Sequence, residues 1–400
     1  MRDEMKKVPR LRFRGFQEDW ELCKFERIFE KVKSYSLSRE VETNEFTGMK
    51  YIHYGDIHTK KADKVSENSN IPNIIKKNFA LLEIGDLILT DASEDYKGIA
   101  TPAVIRENTS FDIVAGLHTI ALRPKNIDPM FLYYLIKAPT FRKYGYKVGT
   151  GMKVFGISSS KVLDFTTYIP KNDETKLVSS FLEKIDYALD LHQRKLDQLK
   201  ELKKAYLQLM FPKKDETVPQ VRFANFEENW ELCKLENIIE KQIKGKAKVE
   251  NLCNGSVEYL DANRLNGGKP IYTKALPDVS ERDIIILWDG SKAGKVYYGF
   301  KGVLGSTLKA YQLKECANSQ FIYQQLLDNQ NNIYNNYRTP NIPHVVKNFS
   351  SIFPIWMTSF EEQSQMADIL SNLDNRIILQ QNLTDTMISL KKSYLQNIFI

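Results

Sequence analysis

A chain of 400 residues, 42% hydrophobic and 27% charged, is too long for one ordinary core and fits two domains with connecting elements. Its 57 lysines and arginines against 50 acidic residues leave a formal charge of +7, a mild excess that favours a polyanionic partner without requiring one. No apolar segment follows the charged start Met1-Arg-Asp-Glu-Met-Lys-Lys, and the longest strongly apolar run, Ile284 to Trp288, is far short of a membrane span, so the expected location is the cytoplasm.

The first element is half of a repeat. Residues 8–30 (VPRLRFRGFQEDWELCKFERIFE) return at 218–240 (VPQVRFANFEENWELCKLENIIE) with fourteen of 23 positions identical at an offset of 210, Trp20 and Trp230 among them. The middle that follows reads as short strands and loops. LLEIGDLIL (81–89) and Thr119 to Leu122 are apolar, β-leaning runs, and Thr90 to Gly98 is a polar loop rich in turn residues.

From Leu182 the period changes. Leu182, Ile185, Leu189, His192, Leu196, Leu199, Lys203, Tyr206 and Met210 step by three and four, as the a/d stripe of a coiled coil does. A helix of roughly 30 to 36 residues is predicted, about 50 Å long at 1.5 Å per residue.

The second copy repeats the order. RDIIILW (282–288) and Val303-Leu304 are its β-leaning runs, Asp289 to Gly294 its loop, and Leu370, Leu373, Ile377, Gln380, Thr384, Met387, Lys391, Tyr394 and Ile398 its seam. Leu182–Phe211 and Leu370–Phe399 share twelve of 30 positions at an offset of 188, so the second middle is 22 residues shorter. The polar seam residues fall at equivalent steps, His192 with Gln380 and Lys203 with Lys391. Because a polar core position fixes register and partner, the two helices are expected to pack on each other in one alignment.

The predicted architecture is α+β: two similar domains separated by a pair of long antiparallel coiled-coil helices, a pseudo-two-fold internal repeat. The predicted bounds are 1–172, 173–212 (first helix), 213–358 and 359–400 (second helix). Such a chain imitates a dimer, and dimeric DNA readers contact half-sites about one helical turn, roughly 34 Å, apart. The middles differ in sequence and length, so the half-sites should differ too.

Candidate DNA contacts in the first domain are Lys50, Tyr51 and His53, Ser93 and Lys97 in the 90–97 loop, and Lys147, Thr150 and Lys153, where glycines alternate with lysines. In the second they are Lys244, Lys246, Arg264, Ser291, Lys292, Lys295, Arg338 and Asn341. Arginine and lysine bond guanine edges, asparagine reads adenine, and serine, threonine and backbone amides hold phosphates. The alternative for each is an ordinary solvated loop.

No catalytic centre is found. Asn341-Ile342-Pro343-His344 lacks the second proline and the aromatic of a DNA-methyltransferase motif, and Gly149-Thr-Gly151 is a fragment of a glycine loop. Gly290-Ser-Lys-Ala-Gly294-Lys295-Val296 is one residue short between its glycines for a phosphate loop and has no Ser/Thr after the lysine. Asp173-Glu174-Thr-Lys176 has nuclease-like carboxylates but precedes the first long helix, where acidic residues favour the N-terminus. The five histidines show no metal-ligand spacing, and Cys23, Cys233, Cys253 and Cys316 show neither zinc nor disulfide spacing. No catalytic, cofactor or metal residue is therefore assigned.

The opening Val-Pro-x-x-Arg-Phe-x-x-Phe-x-x-x-Trp at Val8, its return at Val218, and the twin endings Leu-Lys-Lys-x-Tyr-Leu-Gln-x-x-Phe resemble the specificity (S) subunits of type I restriction-modification systems over essentially the whole chain. The resemblance implies two target-recognition domains, each reading part of a split asymmetric target, with the helices as a ruler. It implies as partners double-stranded DNA, two modification subunits that use S-adenosylmethionine to methylate adenine, and two motor-nuclease subunits that use ATP and Mg2+. None of these cofactors would be bound by this non-catalytic chain. The helices and the segments around Trp20 and Trp230 are then the expected docking surface, the alternative for the tryptophans being core anchors. Two competing classes remain: a coiled-coil scaffold whose two heads bind protein partners, and a fused methyltransferase or nuclease.

Overall fold

The computed structural model describes residues 7–151, 154–213, 216–249, 254–339 and 343–400. Of the sequence candidates, Lys153, Asn341 and Cys253 lie outside them. The chain divides into two compact units, Met1–His192 with Leu383–Ile400, and Gln193–Asn382.

In the first unit the repeat segment enters as a strand, Glu21–Lys24, paired antiparallel with Thr166–Ile169. After one helical turn the chain joins a five-stranded sheet in the order 29–32, 119–124, 87–90, 102–105, 64–65. A second sheet runs in the order 112–115, 49–52, 73–74, 42–43, with 112–115 parallel to 49–52. Within the predicted 81–89 run only Leu87 to Leu89 is strand, which continues to Thr90. Gly85, at φ +90°, turns the chain first, and the Asp86 carboxylate accepts the Glu83 amide at 2.8 Å. Helix Pro129–Lys137 starts at an Asp128 cap and buries seven consecutive residues, Met130 to Ile136.

The second unit follows the same plan, with fewer strands among the described residues. Glu231–Lys234 pairs with Pro354–Met357, a four-stranded sheet runs 239–244, 308–313, 284–287, 296–297, and a three-stranded one runs 271–273, 257–260, 303–304. The Asp86 turn recurs at Asp283, which accepts the Ser280 amide at 2.7 Å.

Two helices of 39 residues, Asn172–Met210 and Phe360–Ile398, connect these parts. All eighteen predicted seam positions are buried or half-buried, while the residues between them are mostly exposed. In the first unit Phe181 meets Tyr394 (ring centroids 5.0 Å) and Asp186 pairs with Lys391, so the helices run antiparallel. In the second unit Lys203 pairs with Asp374. Asp186 and Asp374, like Lys203 and Lys391, are equivalent at the repeat offset of 188. Each polar seam lysine thus has its own carboxylate.

Each unit is completed by the end of the helix that began in the other. Phe399 packs on Phe131 at 5.2 Å, and the Thr167 hydroxyl donates to the Ile400 carbonyl at 2.6 Å. In the second unit Phe211 packs on Trp230 and Phe321. Trp20 and Trp230 are each only 2% exposed. Both therefore act as core anchors, and neither indole is available at a docking surface; apolar rings of this size are driven inside. The Arg12 guanidinium grips Glu174 through two bonds of 2.8 Å, and Arg222 grips Glu362 at 2.7 and 2.9 Å. The Asp173-Glu174 carboxylates thus belong to the helix start and an ion pair, and among the described residues no cluster of His, Cys, Asp and Glu could hold a metal ion. No described helix is long and apolar enough to cross a membrane.

Candidate nucleic-acid interface

In the first unit the predicted loops gather at one place. Ala92-Ser93 pairs antiparallel with Phe155-Gly156, and Thr150 and Gly156 exchange backbone bonds of 3.0 and 2.7 Å. Arg142, on helix Pro139–Val148, donates to the carbonyls of Lys97 (2.6 Å) and Ile99, tying the 90–98 loop to the helix that leads into the 147–151 segment. Tyr96 and Phe155 lie 3.8 Å apart, and the Arg142 guanidinium sits 5.3 Å from the Tyr146 ring. Lys97, Lys147 and Thr150 are exposed here. So are Glu94 and Asp95, which makes the face a mixture of donors and acceptors rather than a basic patch. Such a mixture suits base edges, since carboxylates accept from cytosine and lysines donate to guanine.

Three candidates are withdrawn from this surface. Tyr51 is fully buried in the second sheet, its hydroxyl donating to Glu42 at 2.8 Å, and burial together with Glu42 pushes that hydroxyl's pKa up. His53 caps the helix Tyr54–His58: its Nδ1 accepts from Gly55 at 3.1 Å while its own amide donates to Asp56 at 3.0 Å. Burial, then the nearby Arg39 charge, hold the His53 pKa below the usual histidine range. Ser93 is buried, its hydroxyl accepting the Asp95 amide. Lys50 is half-buried with its ammonium 4.3 Å from the Phe111 ring.

The neighbours of His53 were missed. His58 and His118 are exposed and flank Tyr54, with ring centroids at 5.9 and 5.3 Å. His58 bonds the Ala92 carbonyl at 3.1 Å, and His118, at φ +55°, lies 3.0 Å from Asp91. A helix-capping histidine and three further aromatic rings give no period, so only the fold brings them beside the 90–98 loop.

In the second unit the 289–295 loop docks on the segment before Val345: Gly290 donates to Pro343 at 3.0 Å and Val345 to Trp288 at 2.9 Å. Arg338 donates to the carbonyls of Tyr334 (2.8 Å) and Ser291 (3.2 Å), so two separate candidates meet. Lys295 bonds Asn266, which itself donates to the Tyr297 hydroxyl at 3.1 Å. Arg264 is already held by Glu258. Ser291, Lys292, Lys244 and Lys246 are exposed, Lys244 closing the strand Ile239–Lys244 and Lys246 following two residues on.

Comparison with known proteins places this arrangement. The family described as "Type I restriction modification DNA specificity domain" matches residues 17–201 and 227–387. The chain is 30% identical over 195 residues to the type I restriction enzyme MjaVIII specificity subunit of Methanocaldococcus jannaschii, a match covering 46% of this chain and 45% of that protein. In that alignment the chain spans a little under half of its curated relative's length. The fold resembles the type I restriction-modification S subunit from M. genitalium (TM-score 0.69, 16% identity, 98% of this chain and 99% of that one). It also resembles a chain from a study of complex assembly and conformational transition in the type I R-M system (TM-score 0.55, 13% identity, 94% and 96%). With both halves matched across their heads and into their long helices, the chain belongs to the type I restriction-modification DNA specificity domain family.

Proposed function

We propose that this chain is the non-catalytic specificity subunit of a type I restriction-modification complex, each head reading one half of a split, asymmetric DNA target while the paired helices set the gap. The observation that carries the reading is a constant frame around unlike loops. Arg12–Glu174 and Arg222–Glu362, and Lys391–Asp186 and Lys203–Asp374, recur at equivalent positions, whereas beyond a shared Asp-x-Ser start (Asp91-Ala-Ser93, Asp289-Gly-Ser291) the 90–98 loop differs in side chains from 289–295, as 147–156 does from 338–345. A repeated frame suits a repeated partner, and unlike loops suit unlike half-sites.

Lys97, Lys147 and Thr150 in the first head, and Ser291, Lys292, Lys295 and Arg338 in the second, are the side chains proposed to face DNA. The partners are two modification subunits, which hold S-adenosylmethionine and methylate adenine, and two restriction subunits that use ATP and Mg2+. The helices and the repeat segments are the proposed docking surface for them. In the cytoplasm of a host the chain would direct both methylation and cleavage.

The test is exchange of residues 31–168 for the first head of another family member, followed by mapping of methylated adenines across a host genome. One half of the methylated sequence should change and the other stay. A change in both halves, or in neither, would overturn the modular reading.

A further inference from the structure

The second head carries an electrostatic conflict that the first head lacks. Lys244 and Lys309 stand directly opposite each other on neighbouring antiparallel strands. Like charges so placed repel and weaken a sheet. Neither lysine, nor Lys246, has an ion-pair partner within 4.0 Å among the described residues. Lys309 is half-buried, with its ammonium 3.2 Å from the centre of the buried Trp288 ring. That ring offers partial compensation through its π face. Burial, and after it the charge of Lys244, hold the Lys309 pKa below its ordinary value, with Asp289 opposing them.

The backbone fixes the lysines in this strained arrangement. Gly245 is buried against the Gly305 carbonyl so closely that a β-carbon there would collide with it, and its amide donates to Leu308 at 2.9 Å. Lys244 and Lys246 are therefore held on either side of a pinned glycine, both exposed. Trp288 leads directly into the 289–295 loop.

The first head solves the same position differently. Ile286 pairs with Lys309 where, counting from the equivalent turn aspartates Asp283 and Asp86, Leu89 pairs with Ile120. Ile120 is a buried core residue. A buried aliphatic at this place keeps the sheet intact in one copy, so the lysine in the other is not required by the fold.

We propose that Lys244, Lys246 and Lys309, backed by Trp288, form a backbone-phosphate clamp specific to the second head, its mutual repulsion relieved when DNA phosphodiester groups sit between the ammoniums. The clamp rests on the DNA-binding reading above and adds to it a division of labour. It holds DNA without regard to sequence, beside a loop that reads bases.

The test uses the full-length chain assembled with its modification subunits, and compares wild type with Lys309→Met and Lys244→Gln on a mixed-sequence duplex over a range of salt concentrations. Methionine keeps the stem on Trp288 and removes only the charge. Each variant should flatten the dependence of log affinity on log salt by about one unit, the release of counterions from one phosphate contact. Each should also leave the methylated genomic sequence unchanged and melt no lower than wild type in the absence of DNA. Wild-type binding with an unchanged slope in both variants would overturn the clamp alone, as would a changed methylated sequence, which would make these lysines base readers. If the wild-type complex bound no duplex at any salt, the clamp and the DNA-binding reading would fall together.

Discussion

Glu362 is wholly buried and Glu174 2% exposed, and each is neutralised by one arginine, Arg222 or Arg12, through a two-pronged contact. Removing one partner of a buried pair strands a charge in a poor solvent, at a cost of about 3 kcal/mol, whereas removing both is far milder. Arg222→Met should therefore lower the midpoint of urea unfolding markedly, and Arg222→Met with Glu362→Met should recover much of the loss; equal losses in the two variants would contradict the pairing. Arg142 acts differently, since its guanidinium fastens the 90–98 loop through carbonyls. Arg142→Gln should shift stability little but reduce methylation in a way tied to one half-site, measured by sequencing methylated genomic DNA. At this scale the sequence was only partly readable. Lys97, Lys147, Lys246 and Lys292 lie exposed, but Tyr51, His53 and Ser93 went inside, because a side chain's face on a short strand depends on pairings far away in sequence. The local string Lys-Tyr-Ile-His carries no mark of them.

The long helices were legible because their signal is periodic and repeated, and every seam position is shielded from water in the structure. What periodicity does not give is the far partner of a polar seam residue. Asp186 receives Lys391 and, at 2.8 Å, Lys64 from the head, with the Tyr134 hydroxyl at 2.7 Å. Asp374 receives Lys203 and, at 2.7 Å, Gln324. Burial alone would raise the Asp186 carboxyl, but the bonds from Lys391 and Lys64 override it and hold its pKa below the ordinary value. A carboxylate depressed in the folded state stabilises above its unfolded pKa, and that stability is lost as pH falls through the folded value. Asp186→Asn should accordingly be less stable than wild type at pH 7, and the gap should narrow once pH drops below about 4. A gap independent of pH, followed by thermal melting, would show that the charge is not what matters. Strand bounds were less legible than the seams. Gly85 and Asp86 turn the chain inside what reads as one apolar run, so only Leu87–Thr90 joins the sheet.

For the molecule as a whole, the expectation concerns length. A whole heptad inserted into each helix, after Leu196 and after Thr384, keeps both seams in phase and adds about 10 Å to each helix, or roughly three base pairs of B-DNA. Mapped methylation sites should keep both half-sequences and gain a longer gap; an unchanged gap would remove the helices from the ruler role. The repeat made the doubled architecture readable from the start, since identity at two offsets needs no knowledge of folding. The exchange of helix ends was not readable, because nothing local distinguishes a Phe399 that finishes the first unit from one that finishes the second.

That exchange has a consequence for biogenesis. As the ribosome emits the chain, the second unit has all its parts once Asn382 has emerged. The first unit has by then been outside for almost two hundred residues without Leu383–Ile400, and its Thr140 hydroxyl must wait for a carbonyl 259 positions downstream. The order of maturation is thus inverted relative to the order of translation, and the earlier-made head is the one that spends longest exposed to proteases and in need of a chaperone.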